Sequence, residues 1–113
     1  MSLNLGVYKI PCKGCNKFYI GESGRDLSIR VKEHKSALIK GNTNNALALH
    51  NLNTNHDINF KDTSLLFHCN NLKVRRIIEA AYINSNSCNT LNLNSGFFNL
   101  NNHVSHLIID SIM

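Results

Sequence analysis

Long apolar runs are missing from this sequence of 113 residues, and none approaches the ~20 consecutive apolar residues a membrane-spanning helix requires. A basic-then-apolar leader is missing as well, so the chain does not read as secreted and is expected in the nucleus or cytoplasm. No segment repeats another and no composition break marks a second unit, so residues 1–113 read as a single domain, one that could be excised from a larger protein. Acids are scarce, with 7 Asp+Glu against 12 Lys+Arg. Six of the acids, Glu22, Asp26, Glu33, Asp57, Asp62 and Asp110, fall among turns and polar faces. Two-metal catalytic sites need several converging carboxylates, which this distribution does not offer.

What the chain does contain is a one-sided basic half. The formal net charge is +5, and 8 of the 12 basic residues lie between Lys9 and Lys40. Such asymmetry is the electrostatic footprint of a polyanion partner such as nucleic acid, although an ordinary basic surface would also produce it. Asparagine crowds 42–59 and 84–102, which weakens any single asparagine as a functional signal. With 42% hydrophobic residues the chain can still build a modest core.

The pattern predicts an α/β domain. Gly6 to Pro11 and Lys17 to Glu22 read as two strands, and the turn formers Cys12 to Asn16 join them in an antiparallel hairpin. A Gly-containing loop over 21–25 follows. Asp26 is a good N-cap for a helix to about Lys40, with Leu27, Val31 and Leu38 on its buried face and Gly41-Asn42 ending it. Asn44 or Asn45 can cap a short helix through Ala46 to Leu49. Thr63 to Cys69 reads as a third strand and Leu72 to Asn84 as a helix with Val74, Ile77, Ile78 and Ala81 apolar. A loop to about Asn102 precedes a terminal amphipathic helix carrying Val104, Leu107, Ile108 and Ile112.

Two constellations carry chemistry. Cys12-x2-Cys15 has zinc-knuckle spacing around Gly14, and His50 and His56 stand at a separation used by paired histidine ligands. Together they would form a tetrahedral Cys2His2 zinc site. The 34 residues between Cys15 and His50 are too many for a small DNA-reading finger, so the metal would staple the hairpin turn to the segment after the second helix. The competing readings are a disulfide or free thiols, with the histidines in a polar loop. Cys69 and Cys88 have no partnered spacing and read as buried or partly buried thiols.

The second constellation is Tyr8 and Tyr19 on adjacent strands, Arg30 and His34 on one helix face, and Glu79 inside an apolar stretch. A phenol with a free pKa of ~10 needs a neighbouring cation before it can act as a base at neutral pH, and Arg30 is the natural supplier. Arginine could stabilise charge on a phosphoryl oxygen, and histidine could position a water or protonate a leaving oxygen. A carboxylate at Glu79 is costly to bury unpaired; a divalent metal or an intrahelical pair with Arg75 would keep it ionised. The plain alternatives are half-buried sheet tyrosines and a solvated basic helix face.

Gly6-Val7-Tyr8, Tyr19-Ile20-Gly21, Leu27-x2-Arg30-x3-His34 and Glu79 together resemble the GIY-YIG nuclease family over about residues 6–96. Within it, the Cys pair inside the tyrosine hairpin, the stretch Asn45 to His50 and Asn55-His56 are similar to the endonuclease domain of Penelope-like retroelements. The resemblance implies a three-stranded antiparallel sheet flanked by helices, with one structural zinc on Cys12, Cys15, His50 and His56. It implies a DNA endonuclease that makes the nick priming retroelement insertion, with a reverse transcriptase domain as a candidate neighbour in the parent chain. It assigns Tyr8, Tyr19, Arg30, His34 and Glu79 to catalysis, with Glu79 holding one Mg2+ (or Mn2+), and Asn92, or else Asn94, supporting the site. A nucleic-acid-binding module that keeps the fold without catalysis is the alternative.

Overall fold

The computed structural model describes residues 3–92 and 109. Three strands, β1 (Gly6–Pro11), β2 (Phe18–Ser23) and β3 (Ser64–His68), form one sheet in the order β2-β1-β3. Both pairings are antiparallel. The helices are α1 (Leu27–Lys40), α2 (Ala46–Thr54) and α3 (Leu72–Ser85), with a 3-10 turn at Phe60–Asp62. Among the described residues no helix is long and apolar enough to cross a membrane. The expected terminal helix over 104–112, apart from residue 109, and the alternative Asn94 lie outside the described residues.

Local chemistry sets these elements. Asp26 caps α1 by accepting from the Ser28 amide, Asn45 caps α2 and Asn71 caps α3. Each such cap is worth ~1 kcal/mol. Gly41 ends α1 in the left-handed conformation, and Asn55, at φ 59°, ends α2 in the same way. Most boundaries fall within a residue of expectation, β3 being Ser64–His68 and α3 ending at Ser85, and two shifts have a clear cause. The strand reading stopped at Glu22, whereas β2 runs through Gly21 and Glu22 to Ser23 because all three pair with β1. The second helix continues five residues beyond Leu49 to Thr54, since nothing before Asn55 breaks it.

Alternation along β1 and β2 sorts the core into two clusters. Tyr8 and Ile10 join Leu47 and Ile58 on one side, with Tyr19, Leu27, Leu38 and Leu91 packed around them. Val7 and Ile20 join Ile78 and Ile83 of α3 on the other, with Phe18, Leu66, Phe67 and Tyr82. The helix faces are less apolar than their patterns. In α1 the only fully buried residue is His34, while Leu27, Val31 and Leu38 are half-buried. In α3 Val74 is exposed and Arg75 takes a buried position. Cys69 is partly buried, as expected, whereas Cys88 is exposed, contrary to its reading as a buried or partly buried thiol, and all four cysteines are free thiols.

Candidate metal and catalytic centres

The hairpin turn is pinned before any metal is considered. The Cys12 amide donates to the Lys17 carbonyl at 2.9 Å, the Lys13 amide to Asp57 at 2.9 Å, and the Asn59 amide to Pro11 at 2.9 Å. These bonds lay the turn against the segment that follows α2. Cys12, Cys15, His50 and His56 meet there, their ligand atoms all within 4.8 Å of one another. His50 lies inside α2, because that helix is longer than its sequence pattern indicated, and His56 lies just past its end.

The donor set fits a tetrahedral ion. Zn–S bonds of about 2.3 Å and Zn–N bonds of about 2.0–2.1 Å at tetrahedral angles separate sulfur from nitrogen by about 3.6 Å. Cys12 Sγ lies 3.3 Å from His50 Nε2 and 3.6 Å from His56 Nδ1, and Cys15 Sγ lies 3.6 Å from His50 Nε2. The Gly14 amide donates to Cys12 Sγ at 3.3 Å, a bond that favours the thiolate. A Cβ at Gly14 would strike the His56 ring, which explains the glycine between the cysteines. This is a Cys2His2 cluster able to hold zinc.

The second centre forms where β1 and β2 face α1. Tyr8 sits opposite Gly21 and Tyr19 opposite Ile10, so both phenols project from one face of the hairpin. Gly21 is needed there: a Cβ on it would fall on Cζ and Oη of Tyr8. Tyr8 is 0% exposed, whereas Tyr19 is half-buried and is the phenol nearer solvent. Tyr8 Oη lies 2.9 Å from His34 Nε2, and the Tyr19 and His34 rings meet edge-on with centroids 5.0 Å apart. The alternative of a wholly solvated basic face on α1 therefore fails at His34, which is 1% exposed. His34 thus meets Tyr8 through Nε2 and is itself closed off from solvent.

Arg30, one turn before His34, is partly buried and donates to Glu33 at 2.8 Å. Glu33 also takes Arg25 at 2.7 Å, so an exposed carboxylate shared by two guanidiniums orients the Arg30 side chain. Burial holds both phenols above the ordinary tyrosine value; the Arg30 guanidinium draws them down but does not offset burial, so the expected lowering of a tyrosine into the range of a base at neutral pH does not occur. His34 is lowered to about 4, first by burial and then by Arg30. The unfolded chain titrates an ordinary histidine near 6.5. Between these values the unfolded state takes up a proton that the folded state refuses, so stability falls as pH drops through this window. Replacing His34 with Gln should flatten the fall in melting temperature between pH 7 and 4.5; parallel curves for the two proteins would refute the assignment.

Glu79 approaches from α3. Its pKa is raised to about 7, first by burial and then by Glu22, while Arg76 and Arg30 pull it down and the Glu22 amide donates to it. Glu79 also acts electrostatically on both tyrosines. The intrahelical pair with Arg75 does not form. Arg75 donates instead to Glu22 at 2.9 Å and to the Asn70 carbonyl at 2.8 Å. Glu22 is thus the residue sequence reasoning missed: it was grouped with the scattered acids, yet it flanks Glu79. Its signal was its place next to Gly21, one alternation step from the tyrosine face. Asn92 brackets the backbone of Ile20, accepting from its amide at 3.0 Å and donating to its carbonyl at 2.6 Å. It holds β2 beside Tyr19 and makes its bonds to the strand.

Comparison of the chain with protein-family models, with curated proteins and with solved structures finds no match in any of the three.

Proposed function

We propose that the chain is a metal-dependent DNA endonuclease of the GIY-YIG type, with a structural zinc in its Cys2His2 cluster and a nicking activity suited to retroelement insertion. The observation that carries the reading is the meeting of Tyr8, Tyr19, Arg30, His34 and Glu79 from β1, β2, α1 and α3 around one end of the hairpin. Perturbed titration concentrated in one place is a mark of functional sites.

The residues divide the work by position. Tyr19, half-buried and nearer solvent than Tyr8, keeps its own proton and orients the attacking water, whose oxygen closes on phosphorus in line with the departing 3′-oxygen while its proton passes to solvent. Tyr8, closed off from solvent, supports Tyr19 rather than touching the water. Arg30 neutralises charge on the phosphoryl oxygens. Glu79 is the ligand for one Mg2+ (or Mn2+), which when bound would stabilise the leaving 3′-oxygen as a Lewis acid. Glu22, tied to Arg75, raises the proton affinity of Glu79 without taking its place. Lys13, Lys17, Lys32 and Lys40 are exposed and offer contacts to phosphates.

Supercoiled plasmid should become open-circular with Mg2+ and stay intact with EDTA. Binding without any cutting would favour the non-catalytic DNA-binding module. Affinity for duplex DNA should also fall roughly 10²-fold between 50 and 200 mM salt if about four phosphates are neutralised, with little dependence on sequence. A flat salt response would remove the basic half as the contact surface.

A further inference from the structure

Asn45 does two things at once. As N-cap of α2 its Oδ1 accepts from the amides of Leu47, at 3.0 Å, and Ala48, at 3.2 Å. Its Nδ2 lies 2.9 Å from His34 Nδ1. The cap fixes which way the amide faces, because turning it over would set an NH2 group against two N–H donors. An amide nitrogen can only donate. His34 Nδ1 therefore accepts and carries no hydrogen. The ring proton must be on Nε2, the atom 2.9 Å from Tyr8 Oη.

We propose that Asn45 is a positioning residue that locks His34 in the Nε2–H tautomer and so orients a one-way donor chain from Asn45 through His34 to the Tyr8 oxygen. With the Tyr8 oxygen accepting from His34, its own hydroxyl hydrogen is turned away from the imidazole, on the side where the Tyr19 ring lies with its centroid 6.2 Å from that of Tyr8. In the opposite tautomer Nε2 would capture the Tyr8 hydrogen and the chain would run backwards. A helix-capping side chain thus sets which way the Tyr8 hydroxyl is aimed in the site, and only its effect on cutting rests on the nuclease reading.

Imidazole nitrogen shifts of the full chain labelled with 15N-histidine test the tautomer, with His34→Gln identifying the signal. At pH 7 the wild type should give a protonated Nε2 and a bare Nδ1 at His34. Asn45→Asp keeps an equally good cap, so it should melt within a few degrees of wild type, but its carboxylate should draw a proton onto Nδ1. Asn45→Ser keeps a cap and loses the donor, and should cut DNA ~10–100-fold more slowly with unchanged DNA affinity. A protonated, neutral Nδ1 tautomer in the wild type, or a bare Nδ1 in Asn45→Asp, overturns the proposal. If Asn45→Asp fails to fold, the spectra of wild type and Asn45→Ser decide it alone. A wild-type cutting rate in Asn45→Ser with a shifted tautomer would overturn the link to chemistry. The expected tautomers in a protein that cuts no DNA would leave Asn45's positioning role standing and remove the nuclease reading instead.

Discussion

Stripping zinc from the folded protein should lower its melting temperature by roughly 15 °C or more. An ion present at about a thousand times its dissociation constant contributes about 4 kcal/mol to the folded state. In a domain near this size each kcal/mol moves the melting temperature by roughly 4–8 °C. The four ligands join chain regions far apart in sequence, the β1–β2 turn and α2 with the residue after its end, so the unfolded chain offers no ready-made site. Protein purified without added zinc should carry about one equivalent, and Cys15→Ser should lose it. A further consequence comes from α2, which carries His50 and is capped by Asn45. Chelation should loosen the helix and disturb the His34 nitrogen signals even where the sheet persists. Zinc-free protein that melts with the holo form would remove the structural role.

Much of this architecture was legible because local rules and global packing agree. β1 follows its alternation, Asp26 and Asn45 cap as their side chains permit, and Cys12-x2-Cys15 forms around a glycine that has no room for a Cβ. The turn supplies two ligands at fixed spacing, and a helix with the residue just past its end supplies the other two. What resisted reading were polar residues in places that patterns assign to apolar ones. His34 is buried on α1 because Tyr8 and Asn45 satisfy both ring nitrogens, and neither partner is near it in sequence. Arg75 is buried on α3 because Glu22 and the Asn70 carbonyl meet its guanidinium. The neighbour of Glu79 was misjudged for the same reason: an i, i+4 pair is visible in one dimension, whereas a strand-to-helix ion pair depends on how β2 packs on α3. The length of α2 was missed because asparagine-rich segments lack a strong period, leaving the left-handed Asn55 as the stop.

Glu79→Gln should abolish Mg2+-dependent cleavage, by ~10²–10³-fold or more, and leave DNA affinity within about twofold of wild type. The substitution keeps the shape of the side chain and its capacity to accept from the Glu22 amide. It removes the charge that would hold the ion. Stability supplies an independent reading of the same residue. Because the folded-state pKa is raised to about 7, a group with an ordinary unfolded value near 4.5 costs stability as pH rises through that window. The cost is fully present above pH 7 and vanishes below 4.5. Metal-free Glu79→Gln should therefore melt higher than metal-free wild type at pH 8 and converge with it near pH 4.5. Added Mg2+ should raise the melting temperature of the wild type and leave the variant unmoved. Arg30→Ala should also lose cleavage, but with weaker DNA binding, since a guanidinium beside the phosphate contributes to both. If Glu79→Gln cuts at the wild-type rate in Mg2+, the single-metal mechanism is wrong. If its melting curve shifts as described while cleavage persists, the carboxylate is a buried charge held by Arg30 and Arg76, and the metal must be sought elsewhere.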